Sequence, residues 1–374
     1  MAGIYIHIPF CRQACTYCNF HFSVSLKNKE AMIAAIVKEI GIAEKINDKA
    51  IETIYFGGGT PSLLDEKDLH ALLETIRQKF SVNDDAEITL EANPDDINSK
   101  ILGDWKRAGI NRLSVGLQSF NEEELRWMNR AHNASQSLQC LDDIAAAGFE
   151  NFSVDLIYGS PLQTDEDLRK NFEIISQRNI PHISCYALTV EPGTALNKLI
   201  RDHKSPATDP EKQLVQFHLL LDLMDAAGYE QYEISNFSKP GFRSRHNSSY
   251  WQGKPYYGFG PAAHAFDGIH TRKWNVSNNS LYIQSLEKNI IPFEEEILTD
   301  EQRLNEYIMT SLRTSEGLDN AYVKNNFGEK EMMRVEKGAE KYLQSGRMKQ
   351  DKNYLILTKE GKFFADGIAA DLFV

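Results

Sequence analysis

Cys11, Cys15 and Cys18 fall in the run Cys-Arg-Gln-Ala-Cys-Thr-Tyr-Cys. Three thiolates on one short loop can ligate three irons of a cubane 4Fe-4S cluster and leave the fourth iron open. An iron without a protein ligand suits chemistry on a bound molecule, since a purely electron-carrying cluster normally has four cysteines. A disulfide fits poorly. The chain has five cysteines in 374 residues and no apolar signal segment, which suits a reducing cytosol and a cytoplasmic protein. A structural zinc site needs a fourth ligand, and His21 is available for it. Zinc ligands of this kind usually come as two separated pairs, however, and no second cysteine pair follows. Cys140 and Cys185 sit in apolar helical and strand patterns and read as small core residues.

Other polar residues recur where apolar runs end. Gly57-Gly58-Gly59-Thr60-Pro61 can bring backbone close to a ligand and offer free N–H groups to a carboxylate or ribose, although a tight turn would use the same residues. Glu91, in Leu-Glu-Ala-Asn-Pro, can hold ribose hydroxyls or an ammonium group, or cap the turn that follows. Gln118 ends another apolar run, with Arg130 shortly after it. Asp155 lies inside the apolar run Val-Asp-Leu-Ile-Tyr, where a carboxylate needs a partner, and Arg130 or a cofactor is the natural one.

The elements that must position these residues alternate regularly. Strands are expected at 4–8, 53–56, 87–91, 112–117, 152–157 and 182–188, and helices at 29–45, 66–78, 99–108, 122–128, 135–147 and 166–177. Near-continuous apolar strands alternating with amphipathic helices call for a parallel sheet covered by helices, an α/β fold. Periodicity leaves full barrel, partial barrel and open sheet undecided. In each, ligands gather at the carboxyl ends of the strands, where the residues above fall. Past Thr189 the pattern weakens into a helix at 211–227, an aromatic stretch and an irregular Gly/Pro-rich region to about Asn279. From Thr299 come helices, a short hairpin and a last helix at 359–371, an α+β shape like a winged helix. Lys+Arg 41 against Asp+Glu 53 gives a net charge of −12, which disfavours nucleic acid as a partner, so that tail reads as a covering or docking domain. No apolar run approaches a membrane span.

Tyr-Ile-His-Ile-Pro-Phe-Cys, Gly-Gly-Gly-Thr-Pro, Arg-Leu-Ser-Val-Gly-Leu-Gln-Ser-Phe and Asp-Leu-Ile-Tyr-Gly-Ser-Pro occur in that order. The set resembles the radical S-adenosylmethionine superfamily, and within it the oxygen-independent coproporphyrinogen III oxidase family with its haem-chaperone branch. The resemblance covers nearly the whole chain. It implies a partial (β/α)6 barrel over 1–190, an extension over 191–298 and a C-terminal winged-helix-like domain over 299–374. It also implies a 4Fe-4S cluster on Cys11, Cys15 and Cys18 with S-adenosylmethionine on the open iron. By this match Tyr5, Tyr17, Gly58 and Glu91 contact that S-adenosylmethionine. Gly59, Thr60, Gln118, Arg130 and Asp155 fall where the family binds a second one or shapes the same pocket.

Three features resemble the chaperone branch more than the oxidase. Phe20 stands where the oxidase has a further cysteine, and only ten residues precede Cys11. Arg245-His246-Asn247-Ser248-Ser249-Tyr250-Trp251 is similar to that branch's His-Asn-x-x-Tyr-Trp signature. An imidazole can ligate haem iron and aromatic side chains can cover a porphyrin face, which makes His246, Tyr250 and Trp251 haem-binding candidates. His264 in the same region is a further one. A packed, hydrogen-bonded histidine is the plainer reading of His246. The expected function is that of a haem chaperone passing haem to an acceptor protein, with an electron donor for the cluster. The expectation leaves room for a peripheral membrane contact and for a homodimer. Reductive cleavage of S-adenosylmethionine, if used, yields a 5′-deoxyadenosyl radical. The alternative is oxidative decarboxylation of coproporphyrinogen III to protoporphyrinogen IX.

Overall fold

The computed structural model describes residues 2–46 and 48–374. Six parallel strands pair in chain order: β1 (Ala2–Ile8), β2 (Ile51–Gly58), β3 (Val82–Ala92), β4 (Arg112–Gln118), β5 (Phe152–Tyr158) and β6 (His182–Ala187). Between them run α1 (Lys29–Ile42), α2 (Glu66–Lys79), α3 (Ser99–Ala108), α4 (Glu122–Trp127), α5 (Ala134–Ala146) and α6 (Asp165–Gln177). Local chemistry sets their ends. Asp65 and Asp68 form a capping box on α2, and Asn98 accepts from the Ile101 N–H at the start of α3. Gly109 ends α3 in the left-handed region, at φ 102°. The expected α/β order is therefore present.

The strands are not the near-continuous apolar runs expected. Ile4, Ile6 and Ile8 on β1, Ile54 and Phe56 on β2, and Leu113, Val115 and Leu117 on β4 pack into the main apolar core. The alternate positions are polar: Tyr5 and His7, Thr53 and Tyr55, Glu87 and Glu91, Arg112 and Ser114. One face of the sheet thus holds the helices and the other lines a polar interior.

The segment after β6 is also more ordered than its composition suggested. Strands β7 (Glu230–Glu233) and β8 (Asn236–Ser238) add antiparallel to the β6 edge. Strand β9 (Tyr256–Phe259) pairs parallel with β1, and β10 (His264–Phe266), β11 (Thr271–Asn275) and β12 (Phe293–Ile297) continue antiparallel from it. Among the described residues the sheet has 12 strands, in the order β12-β11-β10-β9-β1-β2-β3-β4-β5-β6-β8-β7. These added strands are short and rich in aromatics, and they take their order from edges already built. The signature helix, Arg245–Trp251, crosses between the two edges.

The C-terminal part has its own core, with Ile308, Leu312, Val323, Val335, Leu355 and Ile368. Three helices, Asp300–Leu312, Asn320–Phe327 and Glu329–Gln344, pack on a small antiparallel sheet of β13 (Leu318–Asp319), β15 (Tyr354–Leu357) and β14 (Met348–Asp351). The single last helix expected at 359–371 is two, Lys359–Lys362 and Ala365–Leu372. The break serves two neighbours: Phe363 packs on Phe217 of the main core, and Phe364 sits under Arg347 of the small domain. Arg313 joins the two parts by pairing with buried Glu233 at 3.0 Å and covering the Trp251 ring at 5.3 Å.

Candidate cluster loop and cofactor cavity

The cysteine loop leaves β1 and is pinned from several sides. Cys11 N–H donates to Ser23 O, Thr16 N–H donates to Met128 O, and Asn129 Nδ2 donates to Ala14 O. Arg12 pairs with Asp96 at 2.9 Å, and Asp96 also accepts from Ser62. The three thiols are half-buried and free, and Arg130 Nη1 donates to Cys15 Sγ at 3.3 Å. Among the described residues no three such side chains are already gathered into a metal-holding group. The donor set still fits a thiolate-bound cluster. A guanidinium beside the sulfurs favours their charged form, and its Nε is buried without a partner. Burial pushes the Cys11 thiol up to about 11, so a metal must displace its proton on binding. His21 does not join the thiols; its Nε2 is hydrogen-bonded to Asn279 Oδ1 at 2.7 Å.

The glycine run works differently from expectation. Gly58 N–H donates to Glu91 Oε2 at 3.2 Å and Gly59 N–H donates to Ile8 O at 2.9 Å, so neither is free for a ligand. What the run provides is closeness. A Cβ on Gly59 would fall 2.6 Å from Phe10 O, and one on Gly58, at φ +105°, would fall 2.5 Å from the His7 ring. The cysteine loop can therefore seat directly against the end of β2. Thr60 is buried beside it and hydrogen-bonds Cys11.

Glu91, Asp155 and Arg130 stand along the inner face. Glu91 accepts from Tyr55 OH at 2.8 Å as well as from Gly58, and burial lifts its carboxyl to about 7. Burial likewise lifts Asp155 to about 6, against hydrogen bonds from Ser184 and Ser114 and the nearby charges of Arg112 and Arg130. The direct Asp155–Arg130 pairing expected is replaced by contacts of Arg130 with Asn93 Oδ1 and Gly116 O, both at 2.8 Å, and with Tyr17 OH at 3.5 Å. Gln118 ends β4 at φ 67°, a strained position for a residue with a side chain.

Tyr5 and Tyr250 border a cavity of about 710 Å³, with His7, Phe20, His21, Tyr256 and His264 also on its walls. Phe20 stands 65% exposed at its rim. His246 does not reach the cavity. It is 1% exposed, its Nδ1 is hydrogen-bonded to Thr53 Oγ1 at 2.7 Å, and its Nε2 to Tyr250 OH at 2.9 Å. Its ring stacks on Tyr55 at 4.9 Å, and burial with Arg112 nearby lowers it to about 3, so it is neutral. The structure gives the packed, hydrogen-bonded form of His246. Trp251 points the other way, to Arg313. Sequence reasoning missed His7 and Tyr256 on the cavity wall, and the buried pair Arg112–Glu87, 3.9 Å apart at the start of the Arg245–Trp251 helix. The alternation Glu-Ile-Thr-Leu-Glu in β3 and Arg-Leu-Ser-Val in β4 carried that signal.

A radical SAM superfamily profile matches residues 5–175, and a HemN C-terminal domain profile matches residues 298–364. A Mycobacterium tuberculosis protein named "Heme chaperone HemW" is 33% identical over 378 residues, covering 99% of this chain and 94% of that protein. The chain belongs to the HemW family of radical SAM proteins. A Bacillus subtilis HemW is 35% identical over 335 residues, with 88% of this chain and 87% of that one covered. Among solved structures, coproporphyrinogen III oxidase (HemN) from Escherichia coli superposes with TM-score 0.85 at 22% identity, over 100% of this chain and 90% of that one. That likeness shows the α/β fold. No described helix is long and apolar enough to cross a membrane.

Proposed function

We propose that the chain is a haem chaperone of radical SAM type, one that binds haem and passes it to an acceptor protein. The observation that carries the reading is the near-full-length match to proteins named as haem chaperones. In this reading the sheet is a partial (β/α)6 barrel over 1–190, extended by 191–298, with 299–374 as a winged-helix-like cover. Cys11, Cys15 and Cys18 hold a 4Fe-4S cluster, and Tyr5, Tyr17, Gly58 and Glu91 line the place for S-adenosylmethionine. Cluster and S-adenosylmethionine together supply one-electron chemistry. The chain's own residues prepare that place. Arg130 bonds Cys15 and spans to Asn93, while Glu91 ties Gly58 to Tyr55 and offers negative charge to a cationic ligand. Haem occupies the aromatic cavity beside the loop, on the side of Phe20 and Tyr250.

An anaerobically reconstituted protein, given haem, an apo-acceptor haem protein and a reductant, should bind haem saturably and load the acceptor. The same protein given coproporphyrinogen III and S-adenosylmethionine should form no protoporphyrinogen. Catalytic turnover in the second assay without haem transfer in the first would replace the chaperone reading with the oxidase one.

A further inference from the structure

His246 belongs to the signature motif, yet its two ring nitrogens are both engaged, to Thr53 and Tyr250, inside the wall. His7 is similarly committed, with Nδ1 to Tyr5 OH at 3.1 Å and Nε2 to His21 O at 2.8 Å. His21 is held through one nitrogen, Nε2, by Asn279. His264 is different: it is exposed on the cavity wall, and among the described residues neither ring nitrogen has a hydrogen-bond partner.

The backbone around His264 is shaped to present it. Gly258 leaves room for the His264 carbonyl, which would lie 1.9 Å from a Cβ there. Gly260, at φ +99°, passes 2.5 Å from His7 O by the same measure. Ala262 takes φ 62°, an uncommon conformation for alanine that persists only where the surroundings impose it. Those surroundings are visible. Buried Glu39 accepts from Gly260 N–H, and Asn275 Nδ2 donates to Gly260 O and to Glu39. The His264 ring stacks on Trp274, with centroids 6.1 Å apart.

Resting on the haem-chaperone reading, we infer that His264, and not His246, is the protein ligand to the iron of bound haem. His246 is a positioning residue: it holds the Tyr250 hydroxyl in the cavity wall from behind. The bond is dative. An imidazole nitrogen of His264 donates its lone pair to ferric iron, a water leaves the iron, and no electron changes hands.

The test is a titration of the full-length protein with ferric protoporphyrin IX, followed by visible absorption and electron paramagnetic resonance. Wild type, His264→Ala and His246→Ala are compared, with metal-free protoporphyrin IX as a second probe. His264→Ala should lose the imidazole-ligated spectrum and bind ferric haem at least about tenfold more weakly. Added free imidazole should restore the spectrum, and binding of the metal-free porphyrin should be unchanged. His246→Ala should keep the imidazole-ligated signal. Retention of that signal in His264→Ala, or its loss in His246→Ala alone, overturns the assignment while leaving the chaperone reading standing. Equal loss of the metal-free porphyrin in His264→Ala also overturns it, since the role is then to shape the wall. Failure of wild type to bind haem removes the chaperone reading itself, and the ligand assignment with it.

Discussion

Glu39 on α1 is 2% exposed and holds the strand turn of the cavity wall, accepting from Gly260 N–H at 2.8 Å, Asn275 Nδ2 at 2.6 Å and Tyr282 OH. Burial outweighs these three donors and lifts its carboxyl to about 7. The folded chain then binds this proton more tightly than the unfolded one, so Glu39 costs stability as pH rises from the ordinary carboxylate range through 7. The size of that cost follows from the displacement and comes to about 3 kcal/mol, complete only above the folded value. Glu39→Gln removes it, but the neutral amide is a poorer acceptor for three donors and gives up about 1 kcal/mol. The variant should therefore match wild type closely at pH 5, where the unfolded carboxyl is already mostly ionised and about 1 kcal/mol of the cost is present, and be more stable by about 2 kcal/mol at pH 8.5. Urea melts of both proteins at the two pH values give the difference directly, and the other titrating groups cancel in it. A difference that does not move with pH, or moves the other way, refutes the claim that desolvation dominates at Glu39.

Arg112→Met should destabilise the fold by about 3 kcal/mol, because it strands Glu87 without its cation in the interior. The Arg245 and His246 N–H groups, both at 3.0 Å from Glu87, keep the loss near the low end of the range for such pairs. Adding Glu87→Gln should recover part of it in urea denaturation, and a purely additive double variant would argue against the coupling. Gly59→Ala should cost about 2 kcal/mol and lower the iron retained after reconstitution, since its Cβ meets the backbone of Phe10 and Ile8; Gly41→Ala, which meets nothing, is the control. Cys15→Ala should abolish the cluster absorption and its iron, and a wild-type spectrum in that variant would remove Cys15 from the ligand set.

Where one residue decides a boundary, the sequence was sufficient to read it. Asn98 and Gly109 bracket α3 at Ser99–Ala108 as expected, and Cys140 and Cys185 are buried in the core. The order of the first six strands followed from apolar runs alone. Asp155 stood out in the sequence, but the rest of the inner face was not read from these runs, because Arg112 and Glu87 violate the rule that buried strands are apolar; their cost is met by each other and by the Arg245 and His246 N–H groups. Strand β9 was missed for a related reason: Tyr-Tyr-Gly-Phe has no period, and its partner β1 lies some 250 residues earlier. At the site, sequence alone brought the signature histidine forward. Only the packing reveals that Thr53 and Tyr250 occupy it and that, among the described cavity-wall histidines, His264 has neither ring nitrogen engaged.

The two rims of the sheet are joined by the short stretch 239–255, which carries the chain from β8 to β9. Seven of its residues are wound into the helix Arg245–Trp251, anchored at its start by Glu87 and at its end against Arg313. Wound, the stretch can span about 45 Å; drawn out fully it would reach roughly 13 Å further. The helix therefore takes about 13 Å out of the connection's reach, and the hydrogen bonds of its first turn to Glu87 keep that length fixed.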